Sequence, residues 1–401
     1  MSRRLLISAL PGERRAAWLD GDRLVGLTLL RDDRPSLLGS LYLGRVTAVD
    51  KPRGLAFVAL GLERDAVLPL SEAGGRRPAE GDALLVRLLR EPESDKGARV
   101  TARLQAAPPD LDARAAAVKA PALLERGDDP IAALLTEAEP PDEILVDDLE
   151  TFAAVKARLT AAAPALADRL AHYRDALPLF EREGLEERID ALLQPRVALP
   201  SGGSLLIEPV RTLTAVDVNS GGHSGGGKPE DLAFALDREA AAVLARQIRL
   251  RGLSGLIVVD FLALADAGRR KAVVAALRQG LKGDREPHRV GPMSASGLVE
   301  ITRRRGRTPL HELLTEPCGT AASGRTKDPV TLAFEALRAL AREAAVQPAA
   351  GLRIVAEPAI AAALDGPAAR ARAALAERFG RPVEIVARPL LPSSPYDIVL
   401  E

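Results

Sequence analysis

The chain has 401 residues, with 55 basic and 55 acidic side chains and a formal net charge of zero at pH 7. This balance argues against a strong non-specific nucleic-acid binder, although basic side chains can still cluster locally. The single cysteine excludes an internal disulfide framework. Because no apolar stretch approaches the roughly 20 residues of a spanning helix, and the amino terminus lacks a signal-peptide run, we expect a cytoplasmic protein.

The first third of the chain predicts β-structure. Residues 1–34 carry two apolar runs, and the Asp-Gly-Asp turn at residues 20–22 is typical of a hairpin. Residues 35–106 contain short strands at near-regular spacing, such as YLGRVTAVD, GLAFVALG and GDALLVRLLRE. This spacing predicts a small closed β-barrel.

The middle of the chain changes character. Residues 107–120 are rich in proline and alanine, and residues 121–198 alternate helices with short strands such as EILVD. Long amphipathic helices are predicted over residues 232–251 and 269–281. A small polar linker is predicted at 315–328, before an α+β unit at 329–401.

Two apolar runs between residues 199 and 314 each end in one carboxylate. TLTAVDVNSG holds Asp217, followed by Asn219, and GLIVVDFL holds Asp260. Short β-branched runs predict buried strands, and a buried carboxylate is costly unless its charge is compensated. A hard divalent cation with oxygen ligands would compensate both charges, with Asn219 as a neutral partner. The alternative is that each aspartate caps a turn or a helix.

These runs belong to an ordered series of motifs. The series is LPSGG, AVDVNSG, RQIRLRG, SGLIVVDF and GLVEITRRRGRTPL, between residues 199 and 310. It resembles the catalytic core of the ribonuclease E/G family, where an LPSGG turn, an AIDINS-like strand, a helix ending RQLRLRD, a GGLIVIDF strand and a GLLEMSRQR segment follow in this order. The resemblance extends over essentially the whole chain.

The resemblance implies a multidomain fold of the α+β and α/β classes. Residues 1–34 and 121–198 would form an RNase H-like subdomain, and residues 35–106 an inserted S1-type OB-fold that binds RNA. Residues 199–314 would form a deoxyribonuclease I-like catalytic subdomain, and residues 329–401 a small C-terminal domain.

The resemblance also assigns roles to residues of the catalytic subdomain. Asp217 and Asp260 would be the ligands of a catalytic Mg²⁺, for which Mn²⁺ could substitute, and Asn219 would hydrogen-bond the scissile phosphate or the attacking water. Arg303 follows the GLLEMS-like segment and would clamp a phosphate by a bidentate contact. The alternative is that the basic run at residues 303–307 is a solvated surface.

In the barrel, Phe57 matches a base-stacking aromatic residue of the family, and Lys96 matches a basic position that lines the same channel. The family's second aromatic position is Val67 here, so the stacking platform is weakened. The alternative for Phe57 is a place in the barrel core.

Two family features are missing. The family carries an insertion after the barrel whose VRTA-like segment binds the RNA 5′-monophosphate, and residues 107–120 are too short to hold it. The family's CPxCxG zinc link is reduced to EPCGTAASG, with Cys318 as the remaining thiol. Since a structural zinc site usually has four ligands, we expect no structural Zn²⁺ and any homodimer to be independent of zinc.

The resulting expectation is a Mg²⁺-dependent endoribonuclease that cleaves single-stranded RNA in RNA processing or decay, without 5′-monophosphate sensing and without a membrane partner. The first alternative is a catalytically weak or inactive RNA-binding relative, which would explain Val67 and the two missing features. A deoxyribonuclease or other phosphoesterase is a further alternative, against which the barrel and the RNA-type motifs argue.

Overall fold

The fold is known from a computed structural model. It describes residues 2–92, 97–104, 108–127, 129, 131, 134, 140–175, 177–210, 212–221, 228–319, 321, 324–347 and 351–400. The chain divides into two compact units, of which the first is built from residues 1–35, 134–303 and 309–401 and the second from residues 36–133 and 304–308. The second unit is therefore an insertion in the first, and the mixed α/β class is as predicted.

The chain opens with three antiparallel strands rather than one hairpin. They are β1 (Arg3–Leu10), β2 (Glu13–Asp20) and β3 (Arg23–Arg31). The predicted turn at residues 20–22 is present, and it starts the third strand, which pairs with β2 along its length.

The inserted unit contains a closed barrel. Its strands are β4 (Leu41–Asp50), β5 (Leu55–Ala59), β6 (Ala66–Pro69), β7 (Ala83–Arg90), β8 (Arg99–Thr101) and β9 (Ala122–Glu125). Five of them close a ring in the order β4-β5-β6-β8-β7, because β4 pairs with both β5 and β7, while β9 also pairs with β4. The unit also contains a 3₁₀ turn (Leu70–Glu72) and helix α1 (Leu111–Ala116). The barrel predicted from strand spacing is confirmed, and it fits an OB-like domain.

The first unit resumes after the insertion. Its next elements are β10 (Glu143–Val146), α2 (Leu149–Ala162), α3 (Pro164–Ala167), β11 (Leu170–His172), α4 (Leu179–Arg182) and α5 (Leu185–Leu193). Strand β10 lies parallel to β1 and β11 parallel to β10, which gives a five-stranded sheet in the order β11-β10-β1-β2-β3. Leu6, Phe180 and Leu185 belong to the apolar core of this sheet.

A second, mixed sheet carries the aspartate motifs. Its elements are β12 (Arg196–Ala198), β13 (Ser204–Pro209), β14 (Thr214–Asn219), α6 (Pro229–Arg251), β15 (Gly255–Asp260), α7 (Ala267–Gly280), β16 (His288–Val290) and β17 (Leu298–Arg303). The strand order is β12-β13-β14-β15-β17-β16, and only β14 and β15 are parallel neighbours among these described strands. Side chains of α6 and α7 share one apolar core with one face of the sheet.

The last part of the chain holds smaller elements. They are α8 (Leu310–Leu314), β18 (Thr315–Pro317), β19 (Arg325–Lys327), α9 (Pro329–Val346), β20 (Leu352–Ala356), α10 (Pro358–Asp365), α11 (Ala369–Phe379), β21 (Val383–Ala387) and β22 (Tyr396–Leu400). The segment predicted as a linker contains the hairpin β18–β19, and β21-β20-β22 form a three-stranded sheet. Within the described ranges, no helix is long and apolar enough to cross a membrane.

Candidate active site

Asp217 and Asp260 are direct neighbours in the second sheet. Strands β14 and β15 run parallel, and their register pairs Asp217 with Asp260. Neighbouring strands lie about 4.8 Å apart, and paired residues point to the same face. The structure therefore brings together the two carboxylates that the sequence singled out, at the carboxyl ends of two parallel strands.

The two carboxylates are not buried, contrary to the expectation. Val216 and Val218 face the apolar core, whereas Asp217 between them is half-buried and Asp260 is exposed. The strands bury only one face, because alternate residues of a strand point to opposite faces. The cost at this site is therefore the repulsion of two adjacent like charges, and not the desolvation that the sequence suggested.

The partners of the carboxylates leave their charge uncompensated. The Asn219 side-chain amide donates a hydrogen bond to Asp217 Oδ2 at 2.6 Å. In the part of the chain that the structure describes, Asp260 has no side-chain hydrogen bond or ion pair. Neither aspartate caps a helix, since the N-cap residues of α6 and α7 are Lys228 and Asp266. The helix-capping form of the alternative therefore does not apply to α6 and α7.

Two glycines shape the edge of the sheet around these side chains. Gly221 has φ 65°, and a Cβ there would lie 2.5 Å from the carbonyl oxygen of Gly202 in the LPSGG turn. Gly297 has φ 94°, and a Cβ there would lie 2.3 Å from the carbonyl oxygen of Phe261. Only glycine tolerates both the backbone conformation and the contact. Residues on either side of the carboxylates are thus held by backbone packing.

A third acidic residue, Asp237 of α6, lies beneath this edge. It is fully buried, and its Oδ1 accepts a hydrogen bond from the Leu262 N–H at 3.1 Å, two residues beyond Asp260. Among the described residues its Oδ2 has no partner. Burial raises the pKa of Asp237 to about 7, against the lowering effect of the Leu262 hydrogen bond. Sequence reasoning missed this residue.

The donor set of the edge fits a hard divalent cation. Asp217 and Asp260 offer carboxylate oxygens side by side, without a cationic partner in the described structure, and Asn219 can add an amide oxygen. No group of three or more His, Cys, Asp and Glu side chains suited to a metal occurs among the described residues. Mg²⁺ is commonly held by one or two carboxylates together with water and substrate phosphates, so it fits such a sparse site better than Zn²⁺ does.

Arg303 is not brought to the carboxylates. It is 9% exposed and points to the helix-covered face of β17. Its Nε and Nη2 donate to the two oxygens of Asp284 at 2.7 and 2.8 Å, and its Nη1 donates to the Leu253 carbonyl at 2.9 Å. These bonds occupy the guanidinium for which the family resemblance predicts a phosphate contact. Its role in this structure is to tie β17 to the end of α6.

The side chain of Phe57, which is predicted to bind RNA, does not point into the barrel core. Phe57 lies between buried Ala56 and Val58 on β5, so its side chain leaves the core. The register pairs Phe57 with Val67, and Val67 with Arg99, in one row across three strands. The exposed Arg99 was not among the predicted residues, although the alternation in ARVT could have placed it outside. Lys96 lies outside the described residues.

Cys318, the remaining thiol of the segment predicted as a degenerate zinc link, lies beside a hairpin. Cys318 follows β18, and its N–H donates to the Gly324 carbonyl at 2.9 Å, which extends the hairpin. The cysteine is half-buried and not in a disulfide.

Comparison with known proteins agrees with the motif order. The model of the ribonuclease E/G family matches residues 83–306. Over the full length of both chains, the protein is 27% identical to Ribonuclease G of Escherichia coli (strain K12), in an alignment of 489 positions. It is 28% identical to Ribonuclease E of Haemophilus influenzae, over 85% of this chain and 46% of that protein. Because the family model matches more than half of the chain, the protein belongs to the ribonuclease E/G family.

Proposed function

We propose that this endoribonuclease hydrolyses single-stranded RNA at the Asp217–Asp260 edge of the second sheet, with a bound divalent cation for which Mg²⁺ is the best fit. One observation carries the proposal. Two carboxylates are paired in register on adjacent parallel strands, and the described residues supply no cation to offset them. Ligand sites of α/β sheets lie at the carboxyl ends of parallel strands, which is where these residues are.

The residues of the edge have separate tasks. Asp217 and Asp260 hold the cation, which when bound neutralises phosphate charge and acidifies a bound water. Asn219 is oriented by its 2.6 Å bond to Asp217, and its second amide N–H can donate to a phosphate oxygen or to the attacking water. Buried Asp237 holds the backbone at Leu262 and so acts on Asp260 as a positioning residue.

The barrel supplies the grip on the RNA chain. Phe57 offers a face for base stacking, and Arg99 offers a guanidinium for a phosphate, in the row Phe57–Val67–Arg99. Lys96 is proposed as a second phosphate contact on the strength of its sequence position. Because Val67 stands where a second aromatic residue would stack, we expect modest affinity with a strong dependence on salt.

Cleavage is proposed to be indifferent to the RNA 5′ end. The alignment with Ribonuclease G of Escherichia coli covers 489 positions, whereas this chain has 401 residues, so that relative has stretches without a counterpart here. The segment after the barrel, residues 107–120, is short. Substrates with 5′-monophosphate and 5′-hydroxyl ends should differ less than about tenfold in kcat/KM, and a larger preference would mean that a sensor exists.

The remaining architecture is proposed from the family resemblance. The sheet that contains β1 and β10 would be the RNase H-like subdomain, the sheet that contains β14 and β15 the deoxyribonuclease I-like subdomain, and residues 329–401 the small C-terminal domain. A homodimer, where it forms, would not depend on zinc, because Cys318 is the only thiol of each chain. Metal analysis of the purified protein and the mass of the Cys318→Ser variant test this point.

Cleavage of a fluorescent A/U-rich oligoribonucleotide in Mg²⁺ tests the proposed site. Asp217→Asn and Asp260→Asn should each reduce the rate by more than about a hundredfold, because even outer-shell residues of a metal site are commonly worth 10- to 100-fold. The matched control is Glu300→Gln, an exposed carboxylate on the same face, next to Val258 in the register. The control should cleave at the wild-type rate.

The outcomes separate the proposal from its alternative. Full activity in either aspartate variant would refute the proposed site. A wild-type protein that binds the oligoribonucleotide without cutting it, at any divalent metal concentration, would instead be the inactive RNA-binding relative.

A further inference from the structure

A group of arginines lies at the far end of α6 from the carboxylate edge. Arg246 and Arg249 are three residues apart, on one side of the helix, and α6 packs against β3, which begins at Arg23. Arg246 and Arg249 are half-buried, and Arg23 is exposed. Among the described residues, the buried Nε atoms of Arg246 and Arg249 have no hydrogen-bond partner. We call Arg23, Arg246 and Arg249 the arginine cluster.

The charges of the arginine cluster repel one another. Burial lowers the pKa of Arg246, and the positive charges of Arg23 and Arg249 lower it further. Burial also lowers the pKa of Arg249; Asp284 opposes this change, while Arg23 and Arg303 add to it. The three guanidinium groups are therefore close enough to destabilise one another's charge.

The nearby acid does not neutralise this charge. Asp284 is the carboxylate that acts on Arg249, and both of its oxygens accept short hydrogen bonds from Arg303, at 2.7 and 2.8 Å. Among the described residues, no ion pair joins Arg23, Arg246 or Arg249 to a carboxylate. By contrast, the buried Arg31 is paired with Asp33 at 2.8 Å and with Asp328 at 3.2 Å.

The helix dipole accounts for only part of the cluster. Cations are stabilised in the last turn of a helix by its negative end, and α6 ends at Arg251. Arg249 lies in that turn, but Arg246 lies before it and Arg23 is on another element. Three uncompensated cations on two elements have the composition of an anion-binding site, in which guanidinium donors are suited to phosphate oxygens.

We propose that the arginine cluster binds a phosphate of the RNA backbone at a distance from the bond that is cut. This inference rests on the proposed function, since it takes RNA as the substrate. Asp237 of α6 is hydrogen-bonded to Leu262, just beyond Asp260, so it lies beside the end of β15. Arg246 and Arg249 follow Asp237 on the helix by nine and twelve residues. At 1.5 Å per residue, the cluster is about 14–18 Å further along the helix. A phosphate bound there belongs to a nucleotide remote from the scissile one.

The binding energy of such a remote contact acts mainly on affinity. We measure binding of a fluorescent 20-nucleotide single-stranded RNA in excess chelator, so that no cleavage occurs, over a series of salt concentrations. Arg246→Ala/Arg249→Ala should weaken binding about tenfold or more and reduce the slope of log K against log salt by about 0.7 for each lost phosphate contact. Arg246→Lys/Arg249→Lys should keep the slope. Arg158→Ala, an exposed arginine of α2, is the matched control and should change nothing.

A second measurement identifies the anion and does not depend on catalysis. Inorganic phosphate and adenosine monophosphate, against chloride at equal ionic strength, are tested for protection from thermal unfolding. Protection that is lost in the alanine variant, together with weaker RNA binding, supports the proposal. Protection by the small phosphates with unchanged RNA affinity overturns it in favour of a phosphorylated small molecule. Unchanged RNA affinity and slope without any protection overturns the anion site altogether.

The failure of the proposed function would look different. A wild-type protein that binds the 20-nucleotide RNA through the arginine cluster but does not cleave it would refute the hydrolytic site and leave this inference standing. A wild-type protein that does not bind the RNA would refute both the RNA substrate and the RNA-backbone assignment, whatever the thermal protection.

Discussion

The two faces of the sheet formed by β12–β17 differ in whether their charged side chains are paired. On the face covered by α6 and α7, Arg303 and Asp284 form a bidentate pair with side chains that are 8% and 3% exposed. On the open face, Asp217 and Asp260 stand side by side without a cation among the described residues. The charges on the covered face are paired within the protein, whereas the two carboxylates on the open face have no cationic partner among the described residues.

The barrel repeats this division. On β6, Leu68 is fully buried in the core, while Val67 beside it faces outward next to Phe57. Because successive side chains of a strand alternate between faces, one strand buries one residue in the core and turns the next one outward. Substitutions on the two faces should therefore be separable by measuring stability and activity in parallel.

The largest expected effect on the unfolding free energy comes from substitutions on the covered face. Arg303→Ala or Asp284→Ala leaves the other member of a buried pair uncompensated, which typically costs about 3–5 kcal/mol. Chemical denaturation measures this loss, and activity per folded molecule should stay near the wild-type value. A stable Arg303→Ala protein with little activity would show instead that Arg303 contacts the substrate.

The next effect depends on pH, through the buried Asp237. Its folded pKa is about 7, above the ordinary 3.8, so the folded state holds this proton more tightly than the unfolded state does. The associated stability is present below about pH 4 and is lost as the pH rises toward 7, by at most about 4 kcal/mol. Asp237→Asn cannot titrate and should flatten this loss between pH 5 and pH 8, measured by thermal unfolding in chelator. An unchanged pH profile would mean that Asp237 is ionised throughout.

In the barrel, one substitution should weaken RNA binding and a second, on the opposite face, should lower stability by a comparable free energy. Phe57→Ala removes an outward aromatic and should weaken RNA binding by about 1–3 kcal/mol, with little change in Tm. Leu68→Ala removes a fully buried side chain and should cost about 2–5 kcal/mol of stability. Early melting of Phe57→Ala with unchanged RNA affinity would contradict the assignment of the two faces.

The smallest expected effect on the unfolding free energy is on the open face, where a substitution should stabilise the fold. Asp217→Asn removes one of two adjacent like charges, so in chelator it should raise the unfolding free energy by about 0.2–1 kcal/mol. Mg²⁺ should then raise the Tm of the wild type more than that of the variant, because the ligand set is incomplete in the variant. A variant that is less stable than the wild type in chelator would indicate that Asp217 has a structural role.

Sequence was a good guide to the elements of the site. The apolar runs TLTAVDVNSG and GLIVVDFL became β14 and β15, and the helices predicted at 232–251 and 269–281 are Pro229–Arg251 and Ala267–Gly280. Their apolar patterns are long and are bounded by proline, aspartate or glycine, which fixes type and extent together. The register between the strands could not be predicted from the sequence, because the pairing of Asp217 with Asp260 depends on which strands become neighbours.

The structure adds the direction of side chains to what the motifs predicted. Arg303 alternates with buried Val299 and Ile301, so the period of two already placed it on the covered face, away from Leu298 and Asp260. Asp237 lies three and four residues before buried Ala240 and Ala241, which places it on the inner side of α6. The order of the motifs does not predict which way a side chain points. The two-residue alternation of a strand and the roughly 3.6-residue repeat of a helix do.

The insertion of the barrel has a consequence for the order of folding. Strand β1 pairs with β10 on one side, yet Arg3–Leu10 and Glu143–Val146 are separated by residues 36–133, which form most of the second unit. During synthesis, the strands of the barrel emerge before β10 does, and they can close on one another while β1 waits with an unpaired edge. Closing so long a loop is entropically slow, unless a folded barrel first brings its two ends together. We therefore expect the unit that contains β14 and β15 to mature late, after the inserted unit that contains the barrel.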